Sequence, residues 1–125
     1  MTEKRSKQVY VVDDNEAVRD SLLALLTSNG LSARTFTSGK EFLARAERLE
    51  RSCLILDLYM PELSGLELLR LLRARGNRIP VIAISGRRTP ALDADVEHEG
   101  VLAILSKPFD EDDLLSLIAK ALGPH

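Results

Sequence analysis

The chain has 125 residues, 45% hydrophobic and 29% charged, which is the size of one globular domain and too apolar for intrinsic disorder. Seventeen Lys and Arg against nineteen Asp and Glu leave a formal net charge of −2, so no global basic field draws the chain to nucleic acid or an anionic membrane. A single cysteine, Cys53, excludes an intrachain disulfide framework and fits a reducing compartment, and no segment approaches the roughly 20 apolar residues of a membrane span.

Residues 1–8 read as an N-terminal tail, basic at Lys4, Arg5 and Lys7 but without the apolar stretch of a signal peptide. A buried strand follows at Val9–Val12. Val18, Leu22, Leu25 and Leu26 then recur at helical spacing, with Gly30 placed to cap the helix C-terminus. Ser32–Phe36 is a weaker strand. Ser38 and Glu41 have the spacing of a capping box before Phe42, Leu43, Ala46 and Leu49. Cys53–Leu58 is a near-continuous apolar run, and Cys53 is read as a core residue of it rather than a reactive thiol. Leu68, Leu69 and Leu72 mark a helix from Gly65 to Arg75, ended by Gly76. Val81–Ile84 is the fourth strand. The segment after it offers only Ala91, Leu92, Ala94 and Val96, while Asp93, Asp95, Glu97 and Glu99 fall on more than one helical face, which predicts a short or mobile fourth helix. Leu102–Leu105 is the last strand, and Asp110 caps a helix carrying Leu114, Leu115, Ile118 and Leu122 before Gly123 and Pro124. Strand and helix alternate five times with short connections and no linker, the pattern of a single α/β domain with a doubly wound parallel sheet and helices on both faces.

In such sheets ligands bind beyond the carboxyl ends of the strands. Asp13 and Asp14 follow the first strand, Asp57 lies in the end of the third run, Ser85 follows the fourth and Lys107 the fifth. Taken singly, Asp14 before Asn15 could be a helix cap, and Ser85-Gly86 and Lys107-Pro108 could be turns. Their joint occurrence at successive strand ends points to a site. Three converging acids repel one another unless a cation neutralises them, and Mg2+ prefers such oxygen ligands. With Lys107 and the Ser85 hydroxyl, the set suits phosphoryl oxygens, and a carboxylate among them could act as nucleophile to form an aspartyl phosphate.

The segments VVDDNEAVRDSLLALL, LILDLYMPELSGLELLRLLR, IPVIAISG and SKPFDEDDLL resemble the receiver domain of two-component response regulators, in texture the FixJ-type members, from Val9 to Leu122. The resemblance implies a receiver domain over 9–123, with a flavodoxin-like five-stranded sheet in order 2-1-3-4-5 and no effector domain within these residues. It makes Asp57 the phosphoacceptor for a sensor histidine kinase or phosphotransfer protein, and Asp13, Asp14, Asp57 and the Tyr59 backbone carbonyl the Mg2+ ligands, Asp13 through water. Ser85 corresponds to the hydroxyl that engages the phosphoryl group and moves on activation, Lys107 to the lysine that pairs with a phosphoryl oxygen, and Pro108 to a turn residue after a cis peptide. Met60, Pro61 and Gly65 fit the loop that presents Asp57. A cytoplasmic, self-modifying signalling protein follows, passing its output to an effector or partner, with no turnover of an external substrate.

The chain departs from the pattern at Ile104, where the family usually has Tyr or Phe. An aliphatic side chain cannot signal by ring rotation, so either another element carries the switch or coupling to the fourth helix and fifth strand is weakened, unless Ile104 is a neutral substitution that simply packs. A receiver-fold interaction module that acts independently of phosphorylation is the alternative this leaves open. Eight acids, Asp93, Asp95, Glu97, Glu99 and Asp110 to Asp113, crowd the late surface, which predicts a monomer or weak dimer. Tyr59 and Arg87, each two residues beyond a site residue, are expected to overhang the pocket and slow loss of the phosphoryl group, or else to be solvated rim residues. The basic residues of the tail read most simply as a solvated start, with contact to an acidic partner as the alternative, and His98 and His125 are expected at the surface. An aspartate-nucleophile phosphatase would carry an acid where Tyr59 stands, and a flavin phosphate would be repelled by Asp13 and Asp14.

Overall fold

The computed structural model describes residues 7–45 and 51–123; the readings of Lys4, Arg5, Ala46, Leu49, Pro124 and His125 lie outside them. Five strands, β1 (Gln8–Val12), β2 (Ser32–Phe36), β3 (Ser52–Asp57), β4 (Val81–Ser85) and β5 (Ala103–Ser106), alternate with five helices, α1 (Glu16–Ser28), α2 (Gly39–Arg45), α3 (Gly65–Ala74), α4 (Pro90–His98) and α5 (Glu111–Leu122). All strand pairs are parallel, in the order β2-β1-β3-β4-β5. The doubly wound sheet is as expected.

The central strands are apolar throughout because both of their faces are covered, and alternation along each strand divides the core in two. Val9, Val11, Cys53, Ile55, Ile82 and Ile84 pack with Leu22 and Leu26 of α1 and Leu114 and Ile118 of α5. Tyr10, Val12, Leu54, Leu56, Val81 and Ala83 face the other way, against Phe36, Phe42, Leu68, Leu69, Leu72 and Val96. The rings of Tyr10, Phe36 and Phe42 meet with centroids 5.4 to 5.9 Å apart. Each leucine that α3 buries contributes about 1.5–3 kcal/mol. Cys53 is fully buried, and burial pushes its thiol pKa up to about 12, which makes it a core side chain.

Local signals set the helix ends. Asn15, not Asp14, is the N-cap of α1, its side chain accepting from the Val18 N–H. At the other end Gly30 (φ 78°) lies one residue past the Asn29 cap, where the N–H groups of Gly30 and Leu31 return to the Thr27 and Leu26 carbonyls. Ser64 and Glu67 form a capping box on α3. The Ser38–Glu41 box is half made: Glu41 N–H donates to Ser38 Oγ, but the Glu41 carboxylate turns to Thr37, which offers both a backbone N–H at 2.7 Å and a hydroxyl at 3.0 Å. Asp110 caps α5 as expected.

The fourth helix is short, at nine residues, but formed. Thr89 caps it, Pro90 fits its first turn, and Val96 is fully buried against α3 and the sheet. Arg73 of α3 closes its far end, donating to the carbonyls of Glu99 and Gly100 at 2.9 and 3.0 Å. These fixings offset the thin apolar face.

Candidate functional site

The carboxyl ends of β1 and β3 bring Asp13, Asp14 and Asp57 together, with one carboxylate oxygen of each inside a mutual distance of 4.8 Å. Asp13 is fully buried and Asp57 is 4% exposed, while Asp14 faces solvent. Asp13 is held from both sides: Oδ1 accepts the Asn15 N–H at 2.9 Å, and its carbonyl accepts Arg19 Nη1 at 2.8 Å. Because Asn15 does the capping, Asp14 is not spent on α1. Lys107 reaches in from the end of β5, 3.2 Å from Asp13 Oδ2 and 3.6 Å from Asp57 Oδ1. Its N–H donates to the Ser85 carbonyl at 2.9 Å, and the Lys107–Pro108 peptide that follows is cis.

One lysine does not balance three acids. Burial, and then the charge of Asp13, lift the Asp57 carboxyl to a pKa of about 6, against the opposing pull of Lys107 and the Tyr59 N–H. The site therefore calls for more positive charge than the side chains supply. Asp57 opens into a cavity of about 240 Å³ lined also by Tyr59, Gly86, Arg87 and Lys107. Over its rim the Arg87 guanidinium lies 5.1 Å from the centre of the Tyr59 ring, which is 41% exposed. The paired positions overhang the pocket as expected.

Gly65 explains how the acceptor strand meets α3. A Cβ there would overlap the Asp57 carbonyl oxygen and come within 2.7 Å of Leu58 Cα, so only glycine lets the first turn of α3 close on the end of β3. Ser85 is buried, but its hydroxyl is turned into its own loop: Oγ donates to the Arg87 carbonyl at 2.7 Å and accepts the Arg87 N–H at 3.0 Å. Ile104 is half-buried on β5 and packs against the Tyr10–Phe36 side of the core. His98 is exposed.

The response regulator receiver domain model matches residues 9–119 of this sequence. The chain belongs to that family. As a receiver domain of two-component systems it is a signalling domain rather than a metabolic enzyme. FixJ of Azorhizobium caulinodans is 40% identical over 118 residues, 94% of this chain and 56% of FixJ. TodT of Pseudomonas putida is also 40% identical over 118 residues, 94% of this chain and 52% of TodT. The receiver thus spans about half the length of the curated relatives it matches. Among solved structures, the FixJ-N crystal structure superposes with a TM-score of 0.86 at 34% identity, covering 95% of both chains. The response regulator StyR gives 0.87 at 36% identity, covering 94% of this chain and 60% of that one.

Two residues of this receiver's site environment carry no signal in the sequence pattern. Arg19 acts on a backbone carbonyl, which any residue supplies, and Arg88 joins Asp93 to groups 16 and 18 residues away on β5 that only the fold brings within reach. Arg88 Nη2 bonds Asp93 Oδ2 at 2.8 Å, and Nη1 reaches the Ile104 carbonyl and Ser106 Oγ, each at 3.3 Å.

Proposed function

We propose that Asp57 accepts a phosphoryl group from a phosphohistidine on a sensor kinase or phosphotransfer protein. The observation that carries this reading is the under-neutralised carboxylate cluster around Asp57, open to a cavity and touched by Lys107. One carboxylate oxygen of each acid lies within 4.8 Å of the others, close enough for the three to share a divalent ion. Asp13, Asp14 and Asp57, with the Tyr59 carbonyl, would hold the ion, Asp13 through water. When bound, it supplies the missing positive charge for the acids and for phosphoryl oxygens.

The rest falls to the protein. An Asp57 oxygen attacks phosphorus in line, the P–O bond forms as the P–N bond breaks, and the imidazole leaves with its electron pair. Lys107 offsets charge on a phosphoryl oxygen, and the Ser85 hydroxyl donates to another once it has left the Arg87 carbonyl. Beside the site, α1 and the start of α5 border an apolar groove of about 500 Å³ lined in part by Val18, Leu22, Pro108 and Phe109, which suits a helix presenting the phosphohistidine.

Residues 9–123 act as the receiver module, in the cytoplasm, and pass their output to an effector or partner protein; the domain makes no nucleic-acid or membrane contact of its own. Among the described residues no helix is long and apolar enough to cross a membrane. The receiver is a monomer or weak dimer. Arg88 pairs with Asp93 and Arg70 with Glu99, while Asp95 and Glu97 add exposed negative charge to α4; sedimentation showing a tight dimer dissolved by mutating Glu97 and Glu99 overturns this.

Intact-mass measurement with a small phosphodonor tests the central reading. Wild type gains one phosphoryl group with Mg2+ and none with chelator, and Asp57→Asn gains none. Labelling that survives in Asp57→Asn places the chemistry elsewhere. The aliphatic Ile104 supports a second reading, a module whose output persists in Asp57→Asn.

A further inference from the structure

Ser85 has one hydroxyl proton, and here it is given to the Arg87 carbonyl. A phosphoryl oxygen on Asp57 can take that proton only by removing it from Arg87. The carbonyl so released belongs to the same peptide unit as the Arg88 nitrogen. Arg88 in turn ties its loop to two elements: Nε and Nη2 fork onto Asp93 in the first turn of α4, at 3.2 and 2.8 Å to Oδ2, while Nη1 holds the Ile104 carbonyl and Ser106 Oγ on β5. The side chain of Ile104 is aliphatic and packed on the core, so polar contact between this loop and residue 104 runs through its carbonyl.

We propose that Arg88 is a positioning residue that couples the phosphorylation site to α4 and β5, as a latch closed while Ser85 serves Arg87 and opened when Ser85 turns to the phosphoryl group. The proposal rests on Asp57 being the phosphoacceptor. The latch is suited to be broken: the Arg88 and Asp93 side chains are 35% and 23% exposed, so their pairing is weak enough for a bound phosphoryl group to outweigh. By linkage, whatever holds the resting state closed lowers affinity for the phosphoryl group, so removing the latch raises it.

Titration with beryllofluoride and Mg2+, joined to amide hydrogen exchange over residues 88–106, tests this. Arg88→Gln tightens analogue binding about 2- to 5-fold, and its unliganded α4 and β5 exchange as fast as those of liganded wild type. Asp93→Asn moves both readouts the same way by less, and the double variant goes no further than Arg88→Gln. A merely structural Arg88 would not tighten binding. Wild type that binds the analogue while Arg88→Gln binds it equally or more weakly overturns the latch alone; wild type that binds none overturns the reading of Asp57 and the latch with it.

Discussion

Burial works against the charge of two side chains at opposite edges of the sheet, and the protein treats them differently. At the N-terminal edge Arg73 has its pKa lowered by burial and by the nearby charge of Arg78. Its guanidinium nevertheless donates to four carbonyls, those of Asn77, Ile79, Glu99 and Gly100, at 2.9 to 3.0 Å. At the C-terminal edge Asp57 is the more deeply buried of the two, yet it has the Tyr59 N–H at 3.2 Å and Lys107 at 3.6 Å, with the Asp13 charge opposing it. The saturated charge ties α3 to the start of β4 and the end of α4. The unsaturated one is left to be completed from outside. Structure is where the partners are all present; chemistry is where one is missing.

The largest effect expected from this contrast is on the saturated side. Arg73→Ala leaves several carbonyls without a charged donor and lowers stability by about 3 kcal/mol in urea unfolding, with faster amide exchange in α4. Arg73→Lys recovers little, because an ammonium cannot span four acceptors arranged around a planar fork. An Arg73→Ala protein as stable as wild type would break the comparison at its first limb. Asp57→Asn should act in the opposite direction. Removing the strained charge from metal-free protein raises stability by about 1–2 kcal/mol at neutral pH while abolishing the acceptor. Unchanged or lower stability would mean that Lys107 already balances the cluster. Mg2+ sharpens the same point: at ten times its dissociation constant it stabilises wild type by about 1.4 kcal/mol in thermal unfolding, and most of that gain is lost in Asp13→Asn.

The same contrast governs what could be read from sequence. The strands and their order of alternation were legible because Val, Ile and Leu runs admit few other readings, and Asp13, Asp14, Asp57 and Lys107 were legible because strand ends converge in this topology. The order of α4 was not. Thr89 and Pro90 are a sequence signal for its start, but its far end depends on Arg73, whose acceptors are backbone carbonyls 26 and 27 residues away. The orientation of the Ser85 hydroxyl was equally hidden, since a Ser after a strand can serve a ligand or its own turn with the same residues. The acidic late surface changes meaning too: Asp110 caps α5, Glu111, Asp112 and Asp113 lie in its first turn where the helix dipole favours them, and Asp93 and Glu99 have arginine partners.

The smallest predicted effect lies at the rim of the unsaturated site. Arg87 stacked on Tyr59 covers part of the approach to Asp57, and an exposed cation–π pair of this kind is worth about 0.5–1 kcal/mol. On the proposed function, such a lid would slow an attacking water without barring a phosphohistidine presented along α1. Tyr59→Ala should therefore lose its phosphoryl group about 2- to 5-fold faster than wild type, with Arg87→Ala close behind and the double variant little faster than either, since each substitution alone already dissolves the stack. Faster loss by wild type than by Tyr59→Ala would show that the ring orders the water instead of excluding it, and the rim would then belong with the catalytic groups rather than with the wall around them.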